Sequence, residues 1–360
     1  MYTKNLYPDL QKTKHHFETL DGLRGIAAMA VVIFHFMEIA YPDFNNNFIA
    51  HGFLAVDFFF CLSWFVIAYA YDGRMEKMGL GEFFRARIIR LHPLVVLGSI
   101  LGLAAYLFDP FGGHPEVYSA GKILLMFVTS MLLIPFPVIE ERFFNLFGLN
   151  APSWSLFWEY VANIVYALVL VKLSRIILLC LGVLAAIWIT YVAATTGNLL
   201  GGWSAGTFWD GGARIAYSFL AGMLVFRYKI MIKNNLGFIG MAILLSAAFI
   251  MPYSWGWLGE LAVVLVYFPL MIALGAGTST APGLKKTCRF LADISYPLYM
   301  THYSMIWMFF NYYQVEKPGT GMLIVMVITG LAFMLSFAFL AMKAFDIPLR
   351  RYLTARFRKQ

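Results

Sequence analysis

The stretch LDGLRGIAAMAVVIFHF, residues 20–36, decides the fold class. It opens an almost unbroken apolar run that is long enough to cross a bilayer as one helix. Arg24 and His35 are eleven residues apart in it. That spacing is close to three helical turns, so both side chains lie on one face, about 16 Å apart along the axis. We expect Arg24 at the membrane surface and His35 near mid-bilayer, where a histidine is costly unless it faces protein or a watery cavity.

The rest of the chain has the same apolar character. Of its 360 residues, 61% are hydrophobic and 13% are charged. Eleven apolar runs of near-spanning length are predicted, at residues 22–41, 52–71, 92–108, 121–137, 154–171, 176–194, 212–228, 236–251, 257–275, 293–311 and 321–345. This pattern predicts a polytopic, all-α membrane bundle without sheet, with residues 1–360 forming a single domain. Residues 1–19 are polar and precede a full-length span, which indicates a cytoplasmic segment and not a cleavable signal.

The distribution of lysine and arginine predicts the topology. Basic residues gather before the first run, between the second and third runs, and in the tail 349–360. Such residues concentrate in cytoplasmic loops, which explains the net charge of +8 without a nucleic-acid partner. With both termini cytoplasmic the number of crossings must be even. We therefore predict about ten crossings and one re-entrant or interfacial segment, 121–137, which ends in PFP (residues 135–137).

Ionisable residues inside apolar runs mark the candidate site, because such groups are rare at membrane depth and are often functional. They are His35, Asp57, Glu159, Glu260 and His302. Glu260 lies near the end of its run and is left out of the predicted site. A purely structural explanation stays open for the others, since a membrane carboxylate also serves to pair with a basic residue of a neighbouring helix. The three cysteines are far apart and predict no metal site.

Two further features are consistent with a charged cofactor and a sugar. Arg87 and Arg90 are three residues apart on one predicted helix face, and two guanidinium groups there would bind phosphate. Membrane anchoring or contact with anionic lipid is the alternative explanation of this pair. The loop 195–211 is rich in glycine and tryptophan and is our candidate for part of a sugar-binding surface, with an interfacial aromatic belt as the alternative.

Five stretches, taken together and in this order, resemble the membrane-bound acyltransferase-3 family. They are LDGLRGIAAMAVVIFHF, GFLAVDFFFCLSWFVI (52–67), RARIIRLHP (85–93), PSWSLFWEY (152–160) and ISYPLYMTH (294–302). The family comprises bacterial enzymes that O-acylate surface and secreted carbohydrates, and the resemblance covers nearly the whole chain. It implies an inner-membrane protein, an acyl-coenzyme A co-substrate, usually acetyl-coenzyme A, and a carbohydrate or lipid-linked sugar as acceptor. The oligomeric state, a homo-oligomer included, stays open.

The resemblance also implies site residues. The donor-binding arginines correspond to Arg24, Arg87 and Arg90, and the motif histidine to His35. The family's aspartate corresponds to Asp57 and its tryptophan–serine–glutamate signature to Trp154, Ser155 and Glu159; we assign Trp154, Ser155 and His302 to the acceptor. The chain departs from the family pattern at Ser63–Trp64, His92 and FDIP (345–348), which bears on packing and acceptor choice.

These residues suggest a mechanism. With coenzyme A phosphates held at Arg24, the thioester would reach towards His35, which would act as general base on the acceptor hydroxyl. Asp57 or Glu159 would hold the imidazole in the required tautomer. A covalent intermediate on Ser155 is the alternative to direct transfer. A proton-coupled transporter and a non-catalytic polysaccharide-assembly component are the alternative functions.

Overall fold

A computed structural model of the chain describes residues 16–112 and 114–357. Fifteen α-helices and two π-helical segments occur in these ranges. No β-strand is formed there; the chain makes only two isolated bridges, Asn145–Ser204 and Asn234–Thr278. The first fifteen residues of the predicted N-terminal segment and the last three of the basic tail lie outside the described residues. The predicted all-helical architecture is confirmed for the described part of the chain.

The longest connection between consecutive helices is residues 132–152, and the helices follow one another in chain order. They are α1 Glu18–Ala40, α2 Ala55–Tyr71, α3 Met75–Met78, α4 Leu80–Phe108, α5 Ala120–Met131, α6 Ser153–Leu168, α7 Arg175–Thr196, α8 Phe208–Arg227, α9 Gly237–Phe249, α10 Gly256–Ala262, α11 Phe268–Gly277, α12 Lys285–Thr301, α13 Tyr303–Glu316, α14 Thr320–Ala341 and α15 Ile347–Phe357. The π-helical segments Val263–Tyr267 and Met342–Asp346 join α10 to α11 and α14 to α15. Each of these two pairs of α-helices therefore forms one longer, continuous helix.

Six helical rods among the described residues are long and apolar enough to cross a membrane. They are Glu18–Ala40, Gly52–Tyr71, Leu80–Phe108, Arg175–Thr196, Tyr253–Gly277 and Thr320–Phe357. The helix in the predicted re-entrant segment, α5, has 12 residues and is about 18 Å long, well short of a bilayer core of about 30 Å. The chain is therefore a multi-pass membrane protein by composition and helix length.

Glycines on α1 determine which helix packs against it. A Cβ on Gly22 would lie 2.8 Å from Cys288 Sγ, and one on Gly25 would lie 2.5 Å from Leu291 Cβ. Both neighbours belong to α12, so the two backbones approach closely, as small residues allow in membrane bundles. An ion pair of 3.0 Å between Lys285 and Glu18 joins the ends of the same two helices. This packing sets the part of α1 that carries Arg24 and His35 against α12 and the start of α13.

The predicted run 293–311 is broken in the structure at His302, between α12 and α13. Pro297 lies inside α12 and lacks the N–H that an uninterrupted helix would use. Nδ1 of His302 lies 2.9 Å from the carbonyl oxygen of Tyr299, which a continuous helix would pair with the N–H of residue 303. The break therefore has a chemical cause, and it places a histidine at a helix junction in the interior.

Candidate active site

His35 is paired with a carboxylate of its own helix. Its Nδ1 lies 2.5 Å from Oε1 of Glu38, one turn further along α1. Residues three apart on a helix face the same way, so this contact follows from the local sequence. The His35 side chain is 18% exposed, and its Nε2 makes no hydrogen bond to any described residue. A neutral ring that donates from Nδ1 to Glu38 presents the lone pair of Nε2 to a substrate.

The ring of His302 stacks on the ring of His35. The two ring centroids are 5.4 Å apart and the planes differ by 21°. His302 is fully buried, and its Nδ1 lies within hydrogen-bonding distance of the carbonyl oxygens of Leu298 and Tyr299. Because carbonyl oxygens only accept, Nδ1 carries the hydrogen, and the lone pair of Nε2 has no partner among the described residues. The structure thus brings together two of the predicted site residues, His35 and His302.

Ser155 is connected to this histidine pair through a tyrosine. Its hydroxyl lies 2.8 Å from the hydroxyl of Tyr299 and also donates to the carbonyl of Pro152. The Tyr299 ring lies 6.0 Å from the ring of His302. Trp154 is buried one residue earlier and faces the guanidinium of Arg214 at 5.2 Å. Of the predicted acceptor residues, Ser155 is therefore linked to His302 through Tyr299, whereas Trp154 packs against Arg214.

Asp57 does not support His35, contrary to our expectation from the sequence. It lies fully buried against Arg214 of α8, with Oδ2 2.6 Å from Nη2 and both carboxylate oxygens 3.2 Å from Nε. Arg214 also donates to the carbonyl oxygens of Phe53 and Gly201. A carboxylate in the membrane interior requires a counter-charge, and this arginine supplies it. The carboxylate that contacts His35 is Glu38.

Glu159 likewise has a partner other than His35. Its Oε1 accepts a hydrogen bond of 2.9 Å from Nη2 of Arg87, and both side chains are buried. Arg87 and Arg90 both lie on α4, three residues apart, and their joint binding of phosphate stays a prediction. Arg87 turns inwards to neutralise a buried carboxylate, whereas Arg90 is exposed.

Arg24 lies at the same end of the bundle as Arg90. Its guanidinium lies 3.5 Å from Asp21, and its side chain is 23% exposed. Arg90 and Asp293 both lie within electrostatic range of it. Two cations with accessible surface, Arg24 and Arg90, thus form the basic end of the candidate site, with Arg87 behind them.

The predicted loop 195–211 lies between α7 and α8 as residues 197–207, and it pairs with a second loop, residues 138–152. The N–H of Leu146 donates to the carbonyl of Trp203 at 2.9 Å, and the N–H of Ala205 donates to the carbonyl of Phe144 at 3.2 Å. Both loops lie at the ends of α4, α6, α7 and α8 that are remote from Arg90. Sugar binding by the loop 195–211 stays a prediction, and the structure shows that this loop is joined to the loop 138–152.

Glu38 and Arg214 are missing from the sequence-based site. Both lie inside predicted apolar runs, 22–41 and 212–228, so the criterion of an ionisable residue at membrane depth includes them. The histidine–glutamate spacing of three residues is a second signal for Glu38. The pairing of Arg214 with Asp57 spans 157 residues and has no local signature.

Comparison with known proteins identifies the family. The profile of an acyltransferase domain, that of the acyltransferase-3 family, matches residues 17–343, and the chain belongs to this family. No solved structure matches the chain significantly.

Three curated proteins are similar in sequence to this chain. Protein 2 in picA locus of Rhizobium radiobacter is 36% identical over 167 residues, which cover 44% of this chain and 84% of that protein. The peptidoglycan O-acetyltransferase OatA of Listeria monocytogenes is 26% identical over an alignment covering 94% of this chain and 56% of its own length. The O-acetyltransferase OatA of Staphylococcus aureus is 24% identical, with 92% of this chain and 57% of that protein covered. The chain therefore spans little more than half the length of these two O-acetyltransferases.

Proposed function

We propose that this chain is a membrane O-acyltransferase that transfers an acyl group, acetyl in the first instance, from acyl-coenzyme A to a hydroxyl group of a carbohydrate. The observation that carries the proposal is the His35–Glu38 pair, with Nε2 of His35 open, on the same helix face as Arg24. Membership of the acyltransferase-3 family and the similarity to two O-acetyltransferases support the reaction class.

The proposed setting is the bacterial inner membrane. We place the residues before α1 and after α15 in the cytoplasm, with about ten crossings, in accordance with the distribution of basic residues. The short α5, followed by non-helical backbone over residues 134–139, is the re-entrant segment in this topology. Arg24 and Arg90 then face the cytoplasm, where acyl-coenzyme A is available.

The donor would lie along α1. Its phosphates would contact Arg24 and Arg90, with the additional positive charge of Arg87 behind them. The slim pantetheine arm would follow the helix over the roughly 16 Å to His35. The arginines then supply binding energy at one end of the donor, and the histidine acts on the thioester at the other end.

His35 would act as general base. As the acceptor oxygen forms a bond to the thioester carbon, Nε2 takes the hydroxyl proton, and Glu38 stabilises the resulting imidazolium. Collapse of the tetrahedral intermediate breaks the carbon–sulfur bond, and the proton passes from His35 to the departing coenzyme A sulfur. Direct transfer needs no covalent enzyme intermediate. The Ser155 hydroxyl, the alternative nucleophile, is hydrogen-bonded to Tyr299 and Pro152, and no histidine or carboxylate of the described residues is hydrogen-bonded to it.

The pairing of the buried carboxylates weighs against a proton-coupled transporter. Asp57 is bonded to Arg214, and Glu159 to Arg87. A proton relay requires carboxylates that are free to take up and release protons during transport, whereas each of these carboxylates is hydrogen-bonded to a buried guanidinium group. These two ion pairs therefore favour structural roles for both carboxylates.

His35→Ala tests the proposal. We expect acetyl transfer from labelled acetyl-coenzyme A to surface polysaccharide to fall by about 100-fold or more, the usual contribution of a general base. Mass spectrometry of the polysaccharide and immunoblots of the membrane fraction would measure acetylation and protein amount. His114→Ala, in an exposed loop, is the matched control. Normal acetylation by the His35 variant at normal abundance would refute the proposal.

A further inference from the structure

A buried guanidinium lies between two aromatic rings at the end of the bundle remote from Arg90. Arg142, in the loop between α5 and α6, is only 4% exposed. Its guanidinium carbon lies 4.8 Å from the ring centre of Tyr106 and 5.0 Å from that of Trp307. Burial lowers its pKa to about 10, so it remains a cation at neutral pH.

Most N–H groups of the Arg142 guanidinium form no hydrogen bond with the described part of the protein. Nη1 of Arg142 donates to the carbonyl of Gly148 at 2.5 Å, and its other N–H groups have no acceptor among the described residues. No carboxylate lies within ion-pair distance in the described part of the chain; Asp109 and Glu141 act on Arg142 only from farther away.

Two buried donors beside Arg142 are also unpartnered. The hydroxyl of Tyr106 and Nε1 of Trp307 make no hydrogen bond to any described residue, and the two side chains are 1% and 6% exposed. A buried donor without a partner costs about 1–3 kcal/mol. Three adjacent groups therefore offer N–H and O–H donors, with one positive charge, to an acceptor that the protein does not supply.

The cluster of Arg142, Tyr106 and Trp307 connects the loop 138–152, which contains Arg142, to the histidines. Tyr106 comes sixteen residues after Arg90 in α4, which places it about 24 Å further along the helix. Trp307 contacts the ring of Tyr303 at 5.6 Å, and Tyr303 contacts the ring of His35 at 4.9 Å. A ligand at Arg142 would therefore lie on the acceptor side of His35, opposite the donor phosphates.

The backbone next to Arg142 is strained. Phe143 and Phe144 have φ angles of 55° and 51°, in the left-handed region that bulky residues rarely adopt. Their side chains are 55% and 48% exposed, so they form an aromatic rim outside the buried cation. Strain of this kind is concentrated at ligand sites, and exposed aromatic rings suit stacking on sugar rings.

We propose that Arg142, Tyr106 and Trp307 bind an anionic group, a carboxylate or a phosphate, on the carbohydrate acceptor, and so select acidic over neutral sugars. A guanidinium fork with flanking O–H and N–H donors matches the several oxygens of such a group. The inference rests on the proposed function and names the substrate class for the same site.

Arg142→Gln tests it in an acetyl-transfer assay with purified protein in vesicles. The acceptors are a neutral glucose oligosaccharide, its glucuronate-containing counterpart and its phosphorylated counterpart, each with saturating acetyl-coenzyme A. We expect KM for the acidic acceptors to rise by about 10- to 100-fold, as for loss of a charge-assisted hydrogen bond, with KM for the neutral acceptor unchanged. The two acidic acceptors distinguish carboxylate from phosphate recognition. Arg175→Gln, at a guanidinium 6.0 Å from Tyr228, is the matched control.

Tyr106→Phe provides a second test that keeps the packing. It removes only the unpartnered hydroxyl, and we expect a threefold to tenfold rise in KM for the preferred acidic acceptor. Equal loss with all acceptors, or no change, in either variant would overturn the inference. Wild-type protein that acetylates only the neutral oligosaccharide would overturn it and leave the proposed function intact. Wild-type protein that acetylates none of the three would overturn both.

Discussion

Glu38→Gln is the most direct probe of the His35 site. In the structure the carboxylate lies 2.5 Å from Nδ1 of His35 and fixes the tautomer that leaves Nε2 free. Glutamine has the same shape, but its amide lacks the charge and also offers donors, so the preference for that tautomer is lost. We expect kcat to fall and KM for acetyl-coenzyme A to stay unchanged, because Glu38 does not contact the proposed phosphate site.

The size of the effect follows from the contact. A hydrogen bond to a charged group contributes about 1.5–3 kcal/mol. The side chains of His35 and Glu38 are 18% and 26% exposed, so solvent screens part of this, and the lower half of the range applies. At about 1.36 kcal/mol per factor of ten, kcat should fall about 10- to 50-fold.

Initial rates with labelled acetyl-coenzyme A would measure kcat and KM separately. Glu116→Gln is the matched control, because Glu116 also contacts a histidine, His114, at 3.1 Å, but on an exposed loop. Adding Glu38→Gln to the His35→Ala variant should cause no further loss, as for two residues that act as a unit. A Glu38 variant with kcat within twofold of wild type would refute the assigned role.

Two further predictions concern the donor end and the buried ion pair. Arg90→Gln should raise KM for acetyl-coenzyme A about fivefold, the equivalent of about 1 kcal/mol at an exposed charge contact, with kcat unchanged; steady-state kinetics with Arg175→Gln as control would show it. Asp57→Asn should lower the free energy of unfolding by about 3–5 kcal/mol, because it leaves Arg214 buried without its counter-charge. Thermal unfolding in detergent measures this, the Asp57→Leu/Arg214→Met double variant should recover part of the loss, and an unchanged midpoint would contradict the structural role.

The sequence was sufficient to predict the fold class. Long apolar runs indicate membrane-spanning segments, and an α-helix forms all its backbone hydrogen bonds within one segment, as lipid requires. The sequence also singled out His35 and His302 as candidate site residues, but not their proximity; the stacking of the two rings is a finding of the structure. The break at His302 was missed, because hydropathy reports apolar length and is insensitive to a ring that hydrogen-bonds to its own helix.

The sequence could not predict which arginine pairs with each buried carboxylate, for a different reason. Asp57 and Glu159 are both buried carboxylates with arginine partners, yet those partners are 157 and 72 residues away in the chain. Partner choice depends on how helices are arranged in the bundle, and hydrophobic periodicity contains no information on that arrangement. By contrast Glu38, three residues from His35, was accessible from local spacing alone.

The continuity of α1 has a consequence for how this site can diversify. Arg24 and His35 lie on one unbroken helix, Glu18–Ala40, that contains no proline, so the separation between them is fixed. In the proposed reaction this fixes where the thioester carbon stops, whatever acyl chain is attached to it. Chain length is then accommodated only beyond His35, near Tyr303. Substitutions there would broaden or narrow acyl preference without a change in coenzyme A affinity, which makes the two properties separately open to selection.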